Sequence, residues 1–568
     1  MSDSMEQRSG GIDPRATCLA VVAVVSLALA FRLPSCQESF WLDELHSAWV
    51  VADEFSEVAP RAAAGNQTTG YFHFLWLWSA LVGAGELPMR LSSVLASALA
   101  SALLVVGVAY RTGKVSAGVV AGGLLAIDPN GVFFGCELRA YAFVMLYAVL
   151  AVWSMMAWLG KAPAATAATV QSETRRLGRT HSHGGARWRL SMLFWICVAA
   201  LVHPTSLGVL ALLIPCAVWV AWRRRRLRWW RADAIAGVVV VATLAALAMS
   251  SLPDSWQRRE LWKAFGQATS WWQLWYAWAW LPMLLLPLGG AAVTSMASRL
   301  VKRFRSGRDA AVGEPADRVD WVGAIPGLVA VTGTMLFFCA SYFEWVPLWH
   351  RRYYVAALPL LAWTAGEMVA ICGSEIVRIV RGFGSVGAER KSSPWWGRGC
   401  GISLAVVLLG FTLWYQGTWW TLAAGRWPVQ LRGEQWRGAV AAVRGEIAAG
   451  DVVWLDSQLI EASFLRRPIS EAESVGEDQW DYLAFPLRGP YSLAPVVVVG
   501  ALEHESWVRH HVENLPQAQA RVWLVSRSGA QSTQRFVDRL VRFRPVSSVK
   551  TFPGRPVVFR LDFGERVN

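Results

Sequence analysis

The chain has 568 residues, of which 54% are hydrophobic and only 17% charged. A soluble chain carries about 25% charged residues, so a water-soluble globule of this size is excluded. The formal charge of +14 does not mark a nucleic-acid binder. The basic residues stand in short blocks between apolar runs (Arg223 to Arg226; Lys302, Arg303 and Arg305), and the positive-inside rule places such blocks in cytoplasmic loops.

Apolar runs long enough to cross a bilayer core recur near 16–33, 91–110, 115–134, 139–160, 189–203, 204–222, 232–252, 272–296, 321–342, 354–372 and 400–420. They predict a polytopic α-helical membrane protein with about eleven transmembrane helices. The first run lacks a small-residue cleavage site, so it is read as the first span and not as a signal peptide. The eight cysteines form no CxxC pair and sit mostly in apolar segments, which fits small buried hydrophobes better than a metal or disulfide framework.

The run 71–83 is too short for a span and long enough for an interfacial helix. Charge decides between the two. With 71–83 on the membrane surface, Arg111, Lys114 and the basic stretches 161–189, 223–231, 298–320 and 373–399 fall on one side. If it crossed, every later loop would flip against the charge bias. The N-terminus is therefore expected in the cytoplasm of a bacterial inner-membrane protein. Outside lie the first outer loop 32–90, the junctions near 135–139 and 203, the loops 253–271 and 343–353, and the tail.

That tail, 423–568, reads as an extracytoplasmic soluble α/β domain following a membrane domain over 1–422. Residues 440–449 have helical spacing, and strand-like runs follow at 452–455, 495–499, 521–525 and 556–561.

The polar residues that could carry chemistry gather on the outer side. Phe40-Trp41-Leu42-Asp43-Glu44 follows the first span and sets two carboxylates just beyond the bilayer edge. Transfer of a sugar from a lipid phosphate needs a base for the acceptor hydroxyl and cations for the departing phosphate. Asp43 suits the first role; it is equally suited to N-capping a helix over 44–51. Glu137-Leu138-Arg139-Ala140-Tyr141 and Trp349-His350-Arg351-Arg352-Tyr353 put arginines on the outer face, against the charge bias. An arginine fork matches phosphate oxygens and an interfacial tyrosine adds a hydroxyl; snorkelling is the alternative for each cluster. His203, at a break between two spans, reads as a contact to phosphate or acceptor, or as a satisfied hairpin histidine.

In order along the chain, these pieces resemble the GT-C superfamily of integral membrane glycosyltransferases. The similarity is to the branch holding protein O-mannosyltransferases and the lipid A aminoarabinose transferase. Trp41-Leu42-Asp43-Glu44 follows the first span, then the aromatic segment Tyr71-Phe72-His73-Phe74-Leu75, then Glu86-Leu87-Pro88-Met89-Arg90 opening the second span. Glu137-Leu138-Arg139-Ala140-Tyr141 opens the fourth, and Arg352-Tyr353 precedes Leu358-Pro359. The resemblance implies a polyprenyl-phosphate sugar donor, an inverting reaction, Asp43 as base with Glu44 beside it, and Arg139, Tyr141 and Arg352 holding the carrier phosphate or shaping the site, where Tyr353 is also expected; the acceptor, a lipid, glycan or protein hydroxyl, stays open. Metal need stays open: a divalent cation held by Asp43 and Glu44 with the donor phosphate is compatible with the sequence, although two carboxylates are too few to argue one. One departure stands out: relatives carry a Pro-Pro pair where this chain has Gln67-Thr68-Thr69-Gly70.

Two rival classes are a lipid or glycan transporter and a non-catalytic envelope assembly protein. Transporters place ionisable residues at mid-span, and here the spans are nearly free of them.

Overall fold

The computed structural model describes residues 12–160, 182–224, most of 233–243, 263, 266–305, 320–383, 395–426, 432–457, 477–493, 495–499, 505–515 and 520–564. The predicted span at 232–252 and the loop 253–271 lie mostly outside the described residues. By their contacts the residues divide into two units, one of 1–34 with 93–430 and one of 35–92 with 431–568.

The first unit is helical and membrane-spanning. Among the described residues eight helices are long and apolar enough to cross a bilayer, and a ninth crossing is a bent pair. Its chief helices are α1 (Pro14–Arg32), α5 (Glu86–Thr112), α6 (Val115–Ile127), α7 (Pro129–Cys136), α8 (Tyr141–Leu159) and α9 (Ser182–Val202). They continue with α10 (Leu213–Arg223), α11 (Leu286–Arg305), α12 (Ile325–Tyr342), α13 (Ala357–Phe383) and α14 (Trp395–Tyr415). The apolar windows of α8 and α13 are 72% and 78% buried, against 28% for α1 and α9. So α8 and α13 form the centre and α1 and α9 the lipid-facing rim.

Small residues make the close crossings. Gly118 and Gly122 stand four apart on α6, and a Cβ on either would lie 2.3 Å from Val105 O or 2.6 Å from Ser101 O of α5. Only glycine lets the two backbones approach this closely, the usual source of helix affinity within lipid.

Several predicted boundaries shift. The segment 115–134 is not one straight span: it breaks by 65° between α6 and α7. Asp128 accepts from the N–H groups of Asn130 and Gly131, and Pro129 opens the new helix, an N-cap followed by proline at the first helical position. The break frees carbonyls at the end of α6. Arg32, fully buried, donates to Ala126 O (2.9 Å), Leu125 O (3.0 Å) and Gly131 O (2.8 Å). The span predicted from 272 begins at Leu281, after a separate turn at Trp272–Trp275. The one predicted over 400–420 ends at Tyr415, and Gly417 (φ 74°) starts a short helix at Thr418–Ala423.

The second unit joins the loop between α1 and α5 to the tail. The loop contributes α2 (Leu42–Val50), α3 (Val58–Ala64) and α4 (Thr69–Val82). At 14 residues α4 is about 21 Å long, short of a hydrocarbon core of about 30 Å. It buries Tyr71, Phe72 and Leu75 and exposes Phe74, Leu77 and Leu81. The tail adds α15 (Trp436–Glu446), α16 (Glu477–Arg488), α17 (Glu505–Glu513) and α18 (Ala530–Phe543). Its strands are β1 (Val452–Asp456), β2 (Val496–Val498), β3 (Ala520–Ser526), β4 (Val546–Phe552) and β5 (Val557–Phe563), ordered β2-β1-β3-β5-β4. The first three are parallel, and β5 and β4 add antiparallel. Central β1 and β3 are buried nearly throughout, as strands covered on both faces must be. Phe536, Val537 and Leu540 of α18 and Val508 and Val512 of α17 pack into the same core as Trp454, Leu524 and Phe559. The helix predicted at 440–449 begins earlier, at Trp436.

Candidate functional site

Asp43 lies in the first turn of α2. The N-cap is Trp41, not Asp43, and the helix begins at Leu42, so the capping role expected as the alternative for Asp43 does not apply. A carboxylate in a first helical turn is favoured by the helix dipole. Glu44, next to it, is fully buried and ion-paired with Arg90, whose side chain is equally buried. Its carboxylate takes the Arg90 Nε–H at 2.9 Å, faces Arg432 Nε at 3.5 Å and reaches back to the Trp41 N–H at 3.3 Å. Arg90 spends its remaining donors on the carbonyls of Cys36, Glu38 and Ser39, under the ring of Phe40. Two carboxylates adjacent in sequence thus have different surroundings: Glu44 sits inside a salt-bridge core and Asp43 is partly exposed.

The remaining predicted residues belong to the membrane unit and gather round one imidazole. His203 separates the span ending at Val202 from the one starting at Pro204. Its ring stands 5.3 Å from that of Tyr141, nearly perpendicular, and 6.5 Å from that of Tyr353, stacked. The turn Pro204–Ser206 packs on the turn Arg351–Tyr354. The guanidinium of Arg352 lies over the Tyr353 ring at 5.1 Å. Desolvation, together with the positive charges of Arg352 and Arg139, outweighs a hydrogen bond with the Arg352 backbone and lowers the His203 pKa to about 4. At neutral pH this imidazole is therefore uncharged, and the cations of the cluster are the two arginines. Arg351, the neighbour not singled out from sequence, is engaged elsewhere, donating to Asn130 Oδ1 (3.0 Å) and Tyr276 O (2.6 Å). Arg139, Tyr141, His203, Arg352 and Tyr353 thus come from three separated stretches of chain to one place at the ends of spans. Asp43 and Glu44 belong to the other unit.

Similar chains are found among solved structures. Over 96% of its length the chain is similar to ArnT from Cupriavidus metallidurans bound to undecaprenyl phosphate, at 14% identity over 97% of that chain with a TM-score of 0.49. The apo state of the same protein matches over 96% of this chain and 97% of that one, at 13% identity and a TM-score of 0.47. The Archaeoglobus fulgidus oligosaccharyltransferase, in complex with Zn and sulfate, matches over 96% of this chain and 73% of that one, at 9% identity and a TM-score of 0.41. No family model and no curated protein matches the sequence.

Among the described residues no three of His, Cys, Asp and Glu converge as a metal-ligand set. The residues around Asp43 that sequence reasoning missed are in the tail. Glu434 accepts from the Leu42 N–H (3.0 Å), from Trp436 Nε1 (2.8 Å) and from Arg527 Nε (2.8 Å). Tyr491 OH lies 3.0 Å from both Ser39 Oγ and the Phe40 N. Neither residue stands in a motif, and only their partners in the loop reveal them.

Proposed function

We propose that this protein is a membrane glycosyltransferase of the GT-C type. It moves a sugar from a polyprenyl-phosphate carrier to an acceptor hydroxyl at the outer face of a bacterial inner membrane. Asp43 takes the acceptor proton as the hydroxyl attacks the anomeric carbon, and the carbon–phosphate-oxygen bond breaks with inversion. Arg139 and Arg352 neutralise the carrier phosphate as it leaves, and Tyr141, Tyr353 and the neutral His203 supply hydrogen bonds around it. Preorganised cations aimed at developing charge are the largest contribution such a site can make. The observation that carries this reading is the gathering of two arginines and two tyrosines round His203 at the ends of spans, on the side that the charge bias leaves poor in cations. Glu44 is a positioning residue in this scheme, because Arg90 and Arg432 occupy its carboxylate. For the same reason the pair Asp43 and Glu44 is ill suited to hold a divalent cation.

The test is sugar release from a panel of radiolabelled polyprenyl-phosphate sugars in nanodiscs, with envelope extract as acceptor. Turnover of one donor is expected, abolished in Asp43→Asn, reduced in Arg352→Ala chiefly through donor affinity, and unchanged by EDTA. Full activity in folded Asp43→Asn would overturn the base assignment. Loss of activity to EDTA, restored by added cation, would instead give the carboxylates a metal role.

A further inference from the structure

The second unit offers a reason for the tail's presence. The backbone leading into Asp43 is held largely from outside the loop. Phe40 N donates to Tyr491 OH (3.0 Å), Trp41 N to Glu44 (3.3 Å) and Leu42 N to Glu434 (3.0 Å). The Arg437 N–H donates to Ser39 Oγ (2.9 Å), and the Arg432 N–H to Glu38 (3.0 Å). The first N–H groups of a helix have no partner within it, and a tail carboxylate supplies the acceptor for that of Leu42, the first helical residue. Glu434 is itself immobilised. It is 4% exposed, its second oxygen takes the Arg527 Nε–H, and the Arg527 N–H donates to Asp456 O at the end of β1. A continuous chain of polar contacts thus runs from the parallel sheet through Arg527 and Glu434 to the backbone one residue before Asp43.

We propose that the C-terminal α/β domain is a jig for the candidate base, with Glu434 and Tyr491 as positioning residues for Asp43. The proposal rests on the reading of Asp43 as the base. Neither residue touches a reacting atom; each fixes where the first turn of α2 starts, and so the direction from which the Asp43 carboxylate meets the acceptor. Such a role affects the chemical step and leaves donor binding alone, since a displacement of about 1 Å in a reacting group can cost about a hundredfold in rate. A purely structural role would lower the amount of folded protein and leave the kcat of what remains intact.

Glu434→Ala, Glu434→Gln, Tyr491→Phe and Asp43→Asn would be purified as full-length protein in nanodiscs. Each would be assayed for kcat, donor KM and melting temperature with the donor that the wild type uses. The expectation for Glu434→Ala is a kcat lower by about tenfold to a hundredfold with donor KM little changed. Glu434→Gln keeps one acceptor for the Leu42 N–H and recovers a large part of that loss. Tyr491→Phe keeps its ring, loses the hydroxyl under Phe40 and Ser39, and loses kcat in the same sense. Wild-type kcat in both Glu434→Ala and Tyr491→Phe, with Asp43→Asn inactive, overturns the jig and leaves the base assignment standing. An active Asp43→Asn overturns the base assignment itself. If Glu434→Ala does not fold, Tyr491→Phe decides: unchanged kcat refutes the proposal and a lowered kcat at unchanged KM supports it.

Discussion

Arg90→Met isolates what holds the loop in shape. The substitution keeps a long apolar stem and removes the guanidinium from a site where both partners of the ion pair are fully buried. Three consequences follow. Glu44 loses its closest cation and keeps Arg432, whose Nε is 3.5 Å from its carboxylate, and the Trp41 N–H at 3.3 Å. The carbonyls of Cys36, Glu38 and Ser39 lose a donor each. Phe40 loses the cation it covers, 5.1 Å from its ring centre. Removing one partner of a buried pair costs about 3–5 kcal/mol. In a unit of this size that lowers the melting temperature by about 6–20 °C. Glu44→Met strands Arg90 in turn, but that guanidinium keeps its three carbonyl acceptors, so the loss is smaller. The double variant has no unpaired charge left from the pair and is less damaged than the sum of the two, with a coupling of about 1–3 kcal/mol. The assay is tryptophan-fluorescence melting in nanodiscs, with amide hydrogen exchange over 38–46 to localise the change. Additive losses, or Arg90→Met melting with the wild type, would refute the ion pair as the core of the loop.

Two further outcomes are expected. Gly118→Ala drives a methyl group against Val105 O, a backbone atom that cannot swing aside, and costs about 1–3 kcal/mol as an overpacked contact; a melting temperature equal to wild type would show that α5 and α6 can separate without loss. In the tail, His511 is buried against Trp454 and Trp507, and burial followed by the nearby His510 lowers its pKa from 6.5 to about 4. The unfolded chain therefore binds a proton that the folded one refuses between these values, so stability is full above pH 6.5 and falls as pH drops toward 4. His511→Phe removes that part of the pH dependence, and parallel melting curves for variant and wild type across pH 4–7 would refute it.

The membrane architecture was legible because lipid demands long apolar runs of helix, and such runs survive any detail of packing. The break at Asp128 was legible too, in hindsight: Asp-Pro inside an apolar run is an N-cap and a first helical position, but the hydropathy of the surrounding residues hid it. In the tail, β1, β2, β3 and β5 announced themselves as apolar runs, whereas β4 did not. Val-Ser-Ser-Val-Lys-Thr-Phe lies on the sheet edge with nearly every residue exposed, and a charged edge of this kind deters further pairing at the expense of any apolar signal. The membrane-side cluster was legible from three motifs read separately, with His203 found only as a break between spans. The packing of loop on tail was not legible. Glu44, Arg90 and the nearby pair Arg432 and Glu434 are charged residues from three separated stretches of sequence, and a non-local salt-bridge core has no period for a sequence to display.

The ionisable residues within the membrane unit bear on the rival transporter reading. A transporter keeps such groups at mid-span, where they change partners during the cycle. Most of those described here have structural partners near helix ends and breaks; Glu367, near the middle of α13, is paired with Arg111. Arg32 serves the carbonyls freed at the α6–α7 break, and Asp128 caps α7 while taking a hydrogen bond from Gln416. Lys114 donates to Ala370 O and Ser374 Oγ, between α6 and α13. Arg111 pairs with Glu367 and Asp320, Arg224 with Asp320, and Arg189 with Asp233. Breaking a buried pair costs about 3–5 kcal/mol. A body cross-braced in this way suits a rigid platform for a reaction at its surface better than one that must alternate its access.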